Sequence, residues 1–198
     1  LDCKNYRGAS LATTWGGKNV SYENIIYKGL GSGHYYGSAG GDGTLKFKNC
    51  TFETHGYAIH TAECQSVLEV SDCEIHGWVS YGDKTKSATF TNTHFYSTTD
   101  QYNGVIATIR PYCATTFTNC TFSKEYLSKY KYDGLTVRSN VVVSLKGCSV
   151  EDGELCDIAN FTGDDPWIDG GVIAIDATGN ATDGFTAGTF VAKQTSDI

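Results

Sequence analysis

The chain has 198 residues, with 22 acidic and 15 basic side chains and a formal net charge of −7. That is the length of one domain, and the acidic balance excludes nucleic acid as the main partner, since phosphate backbones reward clustered Lys and Arg. No apolar run of the ~18 residues needed for a spanning helix occurs, so no transmembrane segment is expected. Gly (23) and Tyr (13) are abundant and Pro (2) is scarce, which suits many Gly and Asn turns between aromatic and β-branched strands. Met is absent, so residues 1–198 are expected to form one domain cut from a longer protein.

One eight-residue template recurs along the chain: VSYENIIY (Val20–Tyr27), LKFKNCTF (Leu45–Phe52), LEVSDCEI (Leu68–Ile75), ATFTNTHF (Ala88–Phe95), TTFTNCTF (Thr115–Phe122), VSLKGCSV (Val143–Val150) and DGFTAGTF (Asp183–Phe190). Positions one, three and eight are apolar, position five is a turn-former and position six is usually small or apolar. The turn positions Asn24, Asn49, Asp72, Asn92, Asn119, Gly147 and Ala187 are spaced by 25, 23, 20, 27, 28 and 40 residues. A period of ~20–50 residues marks a solenoid whose units bury their apolar faces only against their neighbours. Alternation on both sides of position five predicts two short strands about a one-residue turn, where Asn and Gly tolerate the left-handed conformation.

A second repeat begins with Gly: GYAIH (Gly56–His60), GWVSY (Gly77–Tyr81), GVIATIR (Gly104–Arg110), GLTVR (Gly134–Arg138) and GVIAID (Gly171–Asp176). Three short strands per turn of ~20–28 residues predict an all-β fold, a single-stranded right-handed parallel β-helix of about seven coils. The template apolar-x-apolar-x-Asn-x-x-apolar resembles the coils of the pectin-lyase-like family from Val20 to Phe190. That likeness implies the fold, while lyases, hydrolases, phage tail proteins and adhesins all use it. NCTF and the closing GFTAGTF also resemble β-helical surface proteins of Gram-positive gut bacteria, which implies an extracellular or cell-surface place in a bacterium.

Cys50, Cys73, Cys120 and Cys148 all occupy position six, with Ile25 and Thr93 in the same column. Stacking at ~4.8 Å would place them inside the solenoid as reduced packing residues. Cys3, Cys64, Cys113 and Cys156 lie outside the column and their pairing is open. No CxxC spacing suggests zinc.

Insertions at Tyr96–Asn103, Ser123–Asp133 and Glu151–Gly170 all follow the template's end, so one edge is expected to carry the loops and the ligand. In the Gly strands, Ile59, Ala107 and Val137 should face inward, leaving His60, Arg110 and Arg138 on an outer row that Tyr81 could join. The resemblance implies a substrate groove over this same face. Tyr96, Tyr102, Tyr126, Tyr130 and Tyr132 lie on neighbouring loops, the last three interleaved with Lys in SKEYLSKYKYD, a pattern suited to stacking on sugar rings. The bland reading of the whole row is solvated sheet. No cofactor is expected; calcium is the one candidate ion, at Asp164, Asp165 and Asp169 in an acidic, Gly-containing loop.

The outer row lacks the two carboxylates, ~5–9.5 Å apart, of a glycoside hydrolase. A non-catalytic module binding a glycan or a surface protein is therefore expected. The other possibility is a lyase or hydrolase on acidic polysaccharide, with Arg138, Arg110 and His60 as its catalytic candidates. Oligomeric state is left open.

Overall fold

The computed structural model describes residues 10–15, 19–30, 35–39, 43–61, 67–81, 85–96, 108–110, 113–123, 134–135, 142–150, 172–176 and 188–191. All regular structure among them is strand. In chain order these are β1 (Ser10–Trp15), β2 (Val20–Glu23), β3 (Ile26–Leu30), β4 (Tyr35–Ala39), β5 (Thr44–Lys48) and β6 (Thr51–Thr61). Then follow β7 (Val67–Ser71), β8 (Glu74–Tyr81), β9 (Ser87–Thr91), β10 (His94–Tyr96), β11 (Thr108–Arg110) and β12 (Ala114–Thr118). The last are β13 (Thr121–Phe122), β14 (Gly134–Leu135), β15 (Val142–Lys146), β16 (Ser149–Val150), β17 (Val172–Asp176) and β18 (Gly188–Val191).

The first strands of successive templates stack in parallel as β2-β5-β7-β9-β12-β15, with β17 and β18 completing that sheet. Register is in step with the repeat: Leu45 lies between Val20 and Leu68, and Phe117 between Phe90 and Leu145. The second strands build a second parallel sheet containing β3, β6, β8, β10, β13 and β16. β1 and β4 form a separate parallel pair.

The turn is where the sequence acts most directly. Asn24, Asn49, Asp72, Asn92 and Asn119 have φ between 48° and 59°, and Gly147 has φ 57°. Each of the five side-chain-bearing turn residues donates its backbone N–H to the position-four carbonyl of the next coil, from Asn24 to Lys48 through Asn119 to Lys146. Position six answers that carbonyl a second time: the Cys50, Cys73, Cys120 and Cys148 thiols and the Thr93 hydroxyl each donate to the carbonyl two residues back. A small side chain with a donor gives that part-buried carbonyl a second partner, which fits Cys or Thr at five of the six positions, Ile25 being the exception. These four cysteines are buried and unbridged, as is Cys113.

Inside, aromatic rings stack from coil to coil. Phe90 lies on Phe117 with centroids 4.9 Å apart, and Phe95 on Phe122 at 4.9 Å, while Phe117 meets Phe122 edge-on at 5.4 Å. All four are fully buried. Offset and edge-on rings of this kind add to the burial itself.

Two expectations at the C-terminal end are corrected. GVIAID is not a Gly strand, because Val172–Asp176 pairs with β15 in the first sheet, Ile173 beside Val143 and Ile175 beside Leu145. Ile173 and Ile175 therefore stand in the register of template positions one and three. The closing DGFTAGTF does not stack as a seventh template either. Gly188–Val191 runs antiparallel to β17 within the first sheet, and the expected turn at Ala187 lies outside the described residues.

Candidate functional site: the outer face of the second sheet

The second template strand and the Gly strand run together as one element in β6 and β8, bending at Gly77, whose φ of 140° only glycine adopts readily. The next coil is split instead. The first part of β8 pairs with β10, His76 beside Tyr96, and its last part pairs with β11, Val79 beside Ile109. Between Tyr96 and Thr108 lies the first insertion. The second opens beside it, because Phe122, where β13 ends, pairs with Phe95 of β10, and β14 begins at Gly134 opposite Thr108. Two insertions thus leave and return at adjacent strand ends, as expected. The third leaves after Val150 on the same face but returns into the first sheet at Val172.

His60, Ser80 and Arg110 share one row, with Ile59, Val79 and Ile109 buried beneath them. Tyr81 does not belong to that row. It is fully buried, and its hydroxyl lies 2.8 Å from Thr115 Oγ1 across the core. The parity changed because β6 is irregular between Tyr57 and Ile59, so Tyr81 pairs with Thr61 rather than with His60. Burial and the apolar core push the Tyr81 phenol well above its ordinary value.

The row is not simple solvated sheet. Trp78 and Ser80 are 4% and 8% exposed although both face away from the inward Val79. The half-buried Tyr57 ring stacks on His60 at 4.3 Å and meets Trp78 edge-on at 5.1 Å.

A second cluster joins it on the same strands, one that the sequence reading missed. Tyr96 packs against His76 at 4.2 Å and against His94 at 3.7 Å, with interplanar angles of 6° and 25°. The signal was available: extending each template by one residue gives a ninth column of Lys28, Glu53, His76 and Tyr96, neighbours in register. Lys28 Nζ lies 3.4 Å from Glu53 Oε2 within it. Partial burial lowers the His76 pKa from its usual value, opposed by Glu74 and Glu53 and reinforced by His94.

Among the other expected site residues, Tyr102, Tyr126, Tyr130, Tyr132, Arg138 and the candidate calcium ligands Asp164, Asp165 and Asp169 lie outside the described residues. Among the described residues no three His, Cys, Asp or Glu side chains form a metal-holding group. Among the described residues no helix is long and apolar enough to cross a membrane.

The family model described as a right handed beta helix region matches residues 41–187. The chain belongs to the right-handed β-helix family. The stacked parallel coils and the column of left-handed turns are that fold seen directly. No curated protein and no solved structure gives a significant match. The β-helix is thus shared with a family of broad functions, and the outer face of its second sheet must speak for what this member does.

Proposed function

We propose that this β-helix is a non-catalytic binding module of a secreted or surface-displayed bacterial protein, recognising a glycan or a surface protein. The supporting observation is the placement of Tyr96. It ends β10 at the root of an insertion and is packed on His76 and His94 of the rigid sheet. An aromatic side chain already held by its neighbours loses little freedom on binding, and clustered aromatic residues carry a disproportionate share of binding energy. Tyr57 and His60 extend the half-buried aromatic strip along β6. The acidic net charge keeps nucleic acid out of consideration.

Glycan arrays and immobilised bacterial or host surface proteins test the reading. Tyr96→Ala and Tyr57→Ala, checked for unchanged melting, should weaken capture at least tenfold. Capture that ignores both substitutions would reject this face.

One observation favours an enzyme as the second reading. Glu53 stands opposite His76, and Glu74 precedes His76 by two residues on the same outer side of the strand. Two carboxylates and an imidazole on one face are the raw material of acid–base chemistry on a polysaccharide. For a lyase, Arg110 and Arg138 would be the candidate bases, with His60 beside them. Release of reducing ends or of unsaturated uronate from pectate, alginate or glycosaminoglycans, abolished by Glu74→Gln or Arg110→Ala, would replace the binding proposal with this one.

A further inference from the structure

The position-six column is ordered Ile25, Cys50, Cys73, Thr93, Cys120, Cys148. Backbone bonds fix each member one coil from the next: Glu74 N–H to Cys50 O at 2.9 Å, His94 N–H to Cys73 O at 2.9 Å, Thr121 N–H to Thr93 O at 3.1 Å and Ser149 N–H to Cys120 O at 2.9 Å. The four thiols therefore form two adjacent pairs separated by Thr93, rather than a continuous row. The Cys73 sulfur reaches toward the coil of its partner, accepting from the Cys50 backbone N–H at 3.4 Å.

We propose that Cys50–Cys73 and Cys120–Cys148 are two cross-coil oxidation sites, each able to close to a disulfide that staples one coil to the next. Stacked parallel strands set the Cα atoms of each pair ~4.8 Å apart, within the ~4.4–6.8 Å that a disulfide spans, and closure draws the Cβ atoms in from that spacing to the ~3.5–4.5 Å it prefers. Closure needs one sulfur of each pair to leave the carbonyl it bonds in the reduced state, Lys48 O for Cys50 or Lys146 O for Cys148. The contact between the two thiols holds the pKa of Cys50 and of Cys148 below its ordinary value and pushes that of Cys73 up, while burial, followed by the contact with Cys148, pushes Cys120 up.

The oxidant is a small-molecule disulfide such as oxidised glutathione. A cysteine thiolate attacks one of its sulfurs and displaces a glutathione thiolate, which takes up a proton. The partner thiolate then attacks the mixed disulfide and displaces the second glutathione. Two protein thiols are oxidised and one small disulfide is reduced to two thiols. Cys50, Cys73, Cys120 and Cys148 are each at most 2% exposed, so the exchange belongs to folding, before the coils close over them.

The full chain is unfolded, then refolded in a glutathione redox buffer or in excess reductant, and unpaired thiols are alkylated before peptide mapping. Linked peptides joining Cys50 to Cys73 and Cys120 to Cys148 are expected. The melting temperature should rise by roughly 5 °C or more, reversibly with reductant. Cys73→Ser and Cys148→Ser should each abolish only their own link. They should fold when reduced, because the Thr93 hydroxyl already fills this position with a bond to Thr91 O at 3.0 Å. Full alkylation of all four thiols after oxidative refolding would overturn the proposal, as would links across Thr93 or to other cysteines. The wild-type map decides the matter even if a Ser variant fails to fold.

Discussion

Asn49 donates an Nδ2 hydrogen to Asn24 Oδ1, one coil away, at 2.6 Å. The pair stands at the start of the turn column and is repeated by Asn92 to Asp72 at 3.0 Å and Asn119 to Asn92 at 3.4 Å. Asp72 carries only acceptors when ionised, so it can receive from Asn92 but cannot donate to Asn49. The ladder therefore consists of two segments, and the single carboxylate marks the join.

Asn92 tests how the turn works. It holds φ 48°, donates to Asp72 and accepts from Asn119. Asn92→Gly keeps the conformation and loses only exposed side-chain bonds, so about 1 kcal/mol or less is expected. Asn92→Val adds the left-handed penalty of ~1–2 kcal/mol, made worse by β-branching, and should cost at least ~2 kcal/mol in urea unfolding. Equal costs would show that the left-handed geometry is not what selects Asn.

Phe117 is fully buried, stacked on Phe90 and edge-on to Phe95 and Phe122 at 5.8 and 5.4 Å. Phe117→Ala should destabilise by roughly 3–5 kcal/mol, as large-to-small core changes do. A cost under ~1 kcal/mol in chemical denaturation would mean that the coil closes over the lost ring.

Much of this was legible because the template couples two constraints at fixed spacing. Asn49 must turn and Phe47 and Phe52 must point inward, and no other register satisfies all three. Where only one constraint operates, legibility fails. GVIAID shows alternation and a Gly but no turn to fix its sheet, and it belongs with the first sheet. Tyr81 could join the outer row only if GWVSY aligned with GYAIH residue for residue, and the irregularity between Tyr57 and Ile59 shifts that alignment by one. His76 and His94 went unread because outward positions carry no packing requirement, and only the coil-to-coil register brings them to Tyr96.

The buried Tyr81–Thr115 bond gives an asymmetric pair of substitutions. Thr115 Oγ1 donates to Cys113 O at 2.9 Å, so it is the acceptor for the Tyr81 hydroxyl. Tyr81→Phe leaves the Thr115 donor satisfied and should cost ~1 kcal/mol. Thr115→Val strands the Tyr81 hydroxyl in the core and leaves Cys113 O without that donor, for roughly 2–3 kcal/mol or more. The reverse order in thermal or urea unfolding would overturn the assignment of donor and acceptor.

His76 supplies the pH dependence of the site. Its pKa is lowered in the folded chain, chiefly by partial burial, so the unfolded chain binds the proton at higher pH. The stabilising contribution is therefore present above the unfolded value of ~6.5 and is lost as pH falls through the folded value. The groups around it pull in opposite directions: Glu74 and Glu53 raise the pKa, and His94 lowers it. Glu74→Gln should thus move the His76 titration further down in an NMR pH series. His94→Gln should move it up, and His76→Gln should flatten the fall in stability below neutral pH. An upward shift in Glu74→Gln would mean that Glu74 does not act on His76 as a charge, and that the acidic flank of the Tyr96 cluster is electrostatically silent.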